Sequence, residues 1–381
     1  MEKIEISEVD LFITEECNLN CKYCYAPKSN NTLTLEQGKK IIDKVKEKCP
    51  DKLQLSFWGG EPLLYPELVV DLITYAKDLY SGKMFDTLIV TNGTFYDNEI
   101  FKKLKRLGTR IQVSLDGKPE TNEEVRGKSE LVIGNLKKML VNFPNMSVRM
   151  TYLPDNVHKL ADNVLFIRSL GVKRVMHQAA IEAEWDEQSV NIYAKQLENL
   201  YKMWVNNPKK SGVMFLEKNY DIFCGTFPMT EAYCGAGRSL IAILPNGDVY
   251  PCHRAASNKL FKLGNILEGE IIRGSFLSLT KNNENCGSCK ALPFCHTCVI
   301  THQQVNSSTT EPVQPYCRLQ FVETALAEKY GAIRKQISKD KMLDSMATVI
   351  ADMSDQLAEM NIKLNMLMDK AGIGNVPEPK V

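Results

Sequence analysis

The chain has 381 residues, 44% of them hydrophobic, and a formal charge of +1. That length suits two domains or one large domain with additions, while near-neutrality gives no electrostatic basis for holding nucleic acid or an anionic membrane. No apolar run approaches the ~20 residues of a membrane span, and charged residues lead straight into the first strand, so neither a signal peptide nor a membrane is expected. Twelve cysteines in such a chain read as metal ligands in a reducing cytoplasm rather than as disulfides.

Val9–Thr14 reads as a first strand, and it runs into a loop carrying Cys17, Cys21 and Cys24 in the spacing CX3CX2C. Three thiolates are one short of the four that close a zinc site or a cubane cluster, so the loop points to a metal with an open position. Further strands are expected at Leu53–Trp58, Thr87–Thr91, Ile111–Leu115, Met146–Leu153 and Lys173–His177. Helices are expected between them at Thr34–Lys48, Glu67–Leu79, Asn98–Leu107, Leu131–Asn142 and Val157–Leu170. Strand then helix, six times over, argues an α/β fold with a parallel sheet whose active site lies at the carboxyl ends of the strands. The cysteine loop leaves the first strand at that end. The second strand ends in Gly59-Gly60-Glu61-Pro62, the third in Thr91-Asn92-Gly93 and the fourth in Ser114-Leu115-Asp116-Gly117. Two adjacent glycines let backbone approach a ligand closely. Arg126 and Arg149 are read either as partners of a carboxylate or as surface ion pairs, and Cys49 as a half-buried cysteine at a helix end.

Glu187–Val205 sets Tyr193, Leu197, Leu200, Tyr201 and Trp204 on one helical face, which is the pattern of core packing. Pro208–Gly212 reads as a linker. From there cysteines crowd at 224, 234, 252, 286, 289, 295, 298 and 317. Ile241–Leu244, a Pro-Asn-Gly-Asp turn and Val249–Tyr250 read as a hairpin ending at Cys252. The two CX2C pairs, 286/289 and 295/298, suit a zinc ribbon or an iron–sulfur centre, and spacing alone leaves both open. A helix is expected near Gln320–Ala332. Beyond it Leu343, Met346, Ile350, Met353, Leu357, Met360, Leu364 and Leu367 recur at spacings of 3 and 4, a heptad stripe open to dimerisation, peptide docking or packing on its own domain. Gly372–Val381 reads as frayed.

With Tyr23 before its third cysteine, the N-terminal loop resembles that of the radical S-adenosylmethionine (SAM) superfamily. The resemblance implies a partial (β/α)6 barrel over 1–180, in which Cys17, Cys21 and Cys24 hold a [4Fe–4S] cluster whose fourth iron is chelated by SAM. It implies that Gly59, Gly60 and Glu61 hold the amino group of SAM, with Tyr23, Asn92, Ser114 and Asp116 as further contacts. The cysteine order from 234 to 317 resembles the SPASM extension of peptide- and protein-modifying members. That extension spans 220–320, behind a bridge at 181–219 and ahead of a helical tail at 321–381. The resemblance gives Cys286, Cys289, Cys295 and Cys317 to a distal auxiliary cluster and Cys234, Cys252 and Cys298 to a proximal one, three [4Fe–4S] clusters in all. Cys298 departs from the family spacing by one residue. The proximal set has three thiolates, to be completed by Cys224 or by a thiolate of the substrate. His253 and Arg254 stand where sulfatase-maturing relatives carry an aspartate base. The expectation is therefore a cytoplasmic enzyme that modifies a ribosomally made precursor peptide, a cysteine thioether being the preferred product. Its electron donor would be a ferredoxin or flavodoxin, and a homo-oligomer could form through the C-terminal helix. Formylglycine formation and a non-catalytic zinc-binding protein are the competing readings. No N-terminal peptide-recognition domain is evident, because the cysteine loop begins almost at residue 1.

Overall fold

The computed structural model describes residues 6–206, 212–227, 234–256, 258–274, 276, 284–295 and 298–370. The expected linker at 208–211, the frayed end at 372–381 and the side chains of Leu364 and Leu367 lie outside the described residues. Six parallel strands form the frame: β1 (Glu8–Thr14), β2 (Lys52–Gly59), β3 (Met84–Thr91), β4 (Arg110–Ser114), β5 (Ser147–Tyr152) and β6 (Arg174–Ala179). Each hydrogen-bonds to its sequence neighbour, in the order β6-β5-β4-β3-β2-β1. Leu11, Phe57, Ile89, Val113, Val148 and Val175, one from each strand, are fully buried, as a parallel sheet covered on both faces requires.

Between the strands run α1 (Leu35–Lys48), α2 (Pro66–Leu79), α3 (Asn98–Leu107), α4 (Pro119–Val125), α5 (Ser129–Asn142) and α6 (Leu160–Ser169). Local chemistry sets their ends. Thr34 and Gln37 close a capping box at the start of α1; Asp97 caps α3, and Gly108, at φ 80°, ends it. The helix expected from Val157 is preceded by a 3-10 turn over Pro154–Lys159 and becomes α-helical only from Leu160. α7 (Glu187–Asn206) buries Tyr193, Leu197, Leu200, Tyr201 and Trp204, each contributing about 1.5–3 kcal/mol. Cys49 is fully buried at the end of α1, not half-buried; the chain turns there into β2, under Tyr80, whose hydroxyl donates to the Cys49 carbonyl.

After α7 and the helix Met214–Phe223 the chain returns to the same sheet. β7 (Leu240–Ile243) pairs parallel to β1, with Leu11 opposite Ile243. β8 (Asp248–Tyr250) and β9 (Gly264–Asn265) then follow antiparallel. The expected hairpin is thus β7–β8, and it carries Cys252 to the edge of the barrel. The helix expected at 320–332 is part of one helix, Gln314–Lys370. By contacts the chain forms two units, Met1–Glu328 and Lys329–Val381. In the second unit Leu343, Met346, Ile350, Met353, Leu357 and Met360 are all exposed. No helix among the described residues is long and apolar enough to cross a membrane.

Candidate active site at the carboxyl rim

One cavity opens at the carboxyl ends of the strands. Cys17, Cys21 and Cys24 line it with Tyr23, Gly59, Gly60, Glu61, Asn92 and Ser114. The glycine pair explains how β2 meets the cysteine loop. Gly60 N–H donates to the Thr14 carbonyl at 2.9 Å and Glu61 N–H to the Glu16 carbonyl at 2.8 Å. A Cβ on Gly60 would lie 2.9 Å from Cys17 N and closer still to the Glu16 carbonyl. The close approach is therefore first to the chain's own backbone.

Glu61 is 1% exposed. One of its oxygens accepts from Thr91 Oγ1 (2.7 Å) and Leu63 N–H (2.9 Å), the other from Asn92 N–H (2.6 Å). Burial raises its carboxyl to about 7 against these hydrogen bonds, which lower it. Asn92 in turn directs its amide to Cys17 Sγ at 3.7 Å and to Asn18 Oδ1 at 2.9 Å. Asp116 stands behind the wall rather than in it. It accepts from the Tyr23 hydroxyl, from Arg126 Nε at 2.8 Å and from Thr151 N–H at 2.8 Å. One carboxylate thus ties the cysteine loop, the segment after α4 and β5 together.

Arg126 and Arg149 are not surface ion pairs; both line the cavity. Arg126 Nη1 points at Cys21 Sγ, 3.8 Å away, so sequence reading missed a donor to one of the loop's cysteine sulfurs. Arg149 bonds to Gln178. Burial lowers its pKa, with Tyr25 opposing and Arg254 adding to the shift.

The opposite wall comes from β2 and from the hairpin that ends at Cys252. Asp10 on β1, 5% exposed, has Oδ2 2.7 Å from His253 Nδ1. The His253 ring stacks on Trp58 at 3.9 Å and 11°. Among the described residues Trp58 Nε1 is buried without a hydrogen-bond partner. Arg254 pairs with Glu182. The Asp10–His253 pair is 243 residues apart in sequence, and no local signal could have found it.

The auxiliary cysteines gather in two sets. Cys286, Cys289, Cys295 and Cys317 line one small cavity. Burial pushes Cys295 up, and the charges of Cys317, Glu323, Cys286 and Cys289 add to it. Burial and then Cys298 and Cys234 push Cys252 up in the same way. Cys224 is half-buried at the end of the helix Met214–Phe223. Thiols so crowded have the donor chemistry of a zinc or iron–sulfur site. None of the twelve cysteines is in a disulfide.

The radical SAM superfamily profile matches residues 11–167, and that of SPASM, an iron–sulfur cluster-binding domain, matches 234–299. An uncharacterized protein of Methanocaldococcus jannaschii, MJ0907, is 28% identical over 278 residues, covering 69% of this chain and 90% of that protein. Mycofactocin maturase MftC of Mycolicibacterium smegmatis is 27% identical over 287 residues, covering 71% and 69%. The solved structure of native anSMEcpe with bound AdoMet and the Cp18Cys peptide has a TM-score of 0.71 at 19% identity, covering 87% of this chain and 99% of that one. With both family domains in place and the three cysteines at the rim of the barrel, the chain is an enzyme of the radical SAM superfamily with a C-terminal SPASM domain.

Proposed function

We propose that this enzyme oxidises a ribosomally made precursor peptide, joining a cysteine sulfur to a carbon as a thioether. The observation that carries the reading is the cavity itself, lined by three cysteines and by His253, which Asp10 holds from behind. The maturase relative and the peptide held by a protein of the same fold support it.

Cys17, Cys21 and Cys24 hold the SAM-binding centre, and the two auxiliary sets hold one [4Fe–4S] cluster each. When bound, the first centre supplies, with SAM and one electron from a ferredoxin or flavodoxin, a 5′-deoxyadenosyl radical that removes a hydrogen atom, and the auxiliary centres supply an acceptor for the electron left behind. The Asn92 and Arg126 N–H groups aimed at two ligand sulfurs stabilise the thiolate form. Gly59, Gly60, Glu61, Asn92 and Ser114 place SAM, while Tyr23 and Asp116 fix the loop. Asp10 holds His253 Nδ1, which turns Nε2 to the cavity as acceptor of the substrate thiol proton. The enzyme works in the cytoplasm, where its free thiols stay reduced.

The test is turnover by the anaerobically reconstituted enzyme with SAM, a reductant and the short cysteine-bearing peptides encoded beside its gene. Expected is a product lighter by two hydrogens whose sulfur resists alkylation, with 5′-deoxyadenosine formation abolished when Cys17, Cys21 and Cys24 are all changed to Ala. A product that has lost its sulfur, or deoxyadenosine formation by the triple variant, would overturn the reading.

A further inference from the structure

The stripe on the second unit takes no part in the chemistry above. Leu343, Met346, Ile350, Met353, Leu357 and Met360 are each between 51% and 65% exposed. They recur at spacings of 3, 4, 3, 4 and 3 on one continuous helix. Six large apolar side chains in a single line are not what a chain leaves in water. A repeat of seven, rather than the 3.6-residue turn, keeps such a line facing a second helix only if the two supercoil. The cover is therefore helical.

The flanks say which helix. With Leu343, Ile350 and Leu357 at position a and the methionines at d, positions e and g from 347 to 361 hold Ala347, Val349, Ser354, Gln356 and Asn361. None of them is charged. The four carboxylates of this stretch, Asp344, Asp352, Asp355 and Glu359, fall at b, c and f, outside the seam. A partner selected by charge would need charges at e and g to read. A second copy needs the opposite, an absence of like charges facing each other; Lys363 is the one charge at e or g between 342 and 368, and in a parallel pair it faces Met368. Its seam also matches itself in length, with every a and d meeting an apolar residue.

We infer that residues 342–368 form a coiled coil with a second copy of this chain. At 1.5 Å per residue the seam is a strip of about 40 by 10 Å. That is within about a factor of two of the ~800 Å² per partner buried by stable interfaces.

Sedimentation equilibrium of the anaerobically reconstituted full chain, over about a hundredfold range of concentration, tests this. The expected weight-average mass rises from 43.1 kDa toward twice that value. Changing Ile350, Met353 and Leu357 together to Ala removes the seam while raising helix propensity, so the far-ultraviolet circular dichroism holds and the mass returns to 43.1 kDa. Thr348→Lys with Asp355→Lys, on the outer face, leaves the dimer in place. A full chain that stays monomeric throughout overturns the inference, whatever peptide or protein it then binds, as does a dimer that survives the triple Ala variant.

Discussion

Gly60→Ala is the most direct test of how the site is assembled. The added methyl would meet Cys17 N at 2.9 Å and the Glu16 carbonyl at less than that, and both are backbone. No rotamer change can relieve such a contact. Ordinary contact begins near 3.4 Å, so the loop entering Cys17 must move by roughly an ångström, at a cost of about 1–3 kcal/mol for overpacking. The hydrogen bonds from Gly60 and Glu61 to Thr14 and Glu16 lengthen with it. Reactive constellations tolerate about 0.5 Å of error, and a 1 Å misplacement costs about a hundredfold in rate. The expected result is a protein that folds and keeps its auxiliary iron but forms 5′-deoxyadenosine about a hundred times more slowly. Gly134→Ala is the control, because a Cβ there meets nothing within 4 Å. Gly60→Ala with a rate within twofold of the native enzyme would refute the claim that close backbone approach positions Cys17.

Two further outcomes are expected. If a substrate sulfur rather than Cys224 completes the proximal set, Cys224→Ala keeps its iron content and most of its activity, whereas Cys252→Ala loses about one cluster's worth of iron by anaerobic iron and sulfide analysis. Equal loss in both variants would put Cys224 on that centre. Glu323, buried beside Tyr193 and Gln320, has its carboxyl raised by burial to about 7 from 4.5. The unfolded chain therefore loses this proton first, and stability drains as pH rises between those values, by at most about 3 kcal/mol. Glu323→Gln should melt higher than the native protein at pH 8 but not at pH 5, and the added amide can donate to Gln320 Oε1, which has no partner. A pH-independent difference would rule out Glu323 as the titrating group.

What the sequence displays is what neighbours in the chain decide. The helix Asn98–Leu107 is legible to the residue, because Asp97 and Gly108 stop it locally. The six strands are legible because each is a short apolar run between turn residues. The family resemblance groups Cys286, Cys289, Cys295 and Cys317, and one cavity brings those four to one place. Side-chain partners from distant segments are not legible. Arg126 reads equally as a carboxylate partner or a surface ion pair until the turn after β4 presents Asp116 to it and the loop presents Cys21. Asp10 lies in an apolar strand, and its partner His253 arrives only with a hairpin more than two hundred residues later. The break between an expected short helix and the stripe beyond it has no physical cause, since no glycine or proline separates Ala332 from Leu343, and the helix runs through.

The pairing of β7 with β1 makes the two halves of the first unit inseparable. Truncating the chain before Leu240 would strip the cover from β1 and leave its row of N–H and C=O groups, among Leu11, Phe12 and Ile13, as a raw template for intermolecular strand addition. A minimal catalytic fragment made that way would aggregate. The same continuity ties the hairpin that ends at Cys252 into the sheet whose carboxyl ends carry the three-cysteine loop.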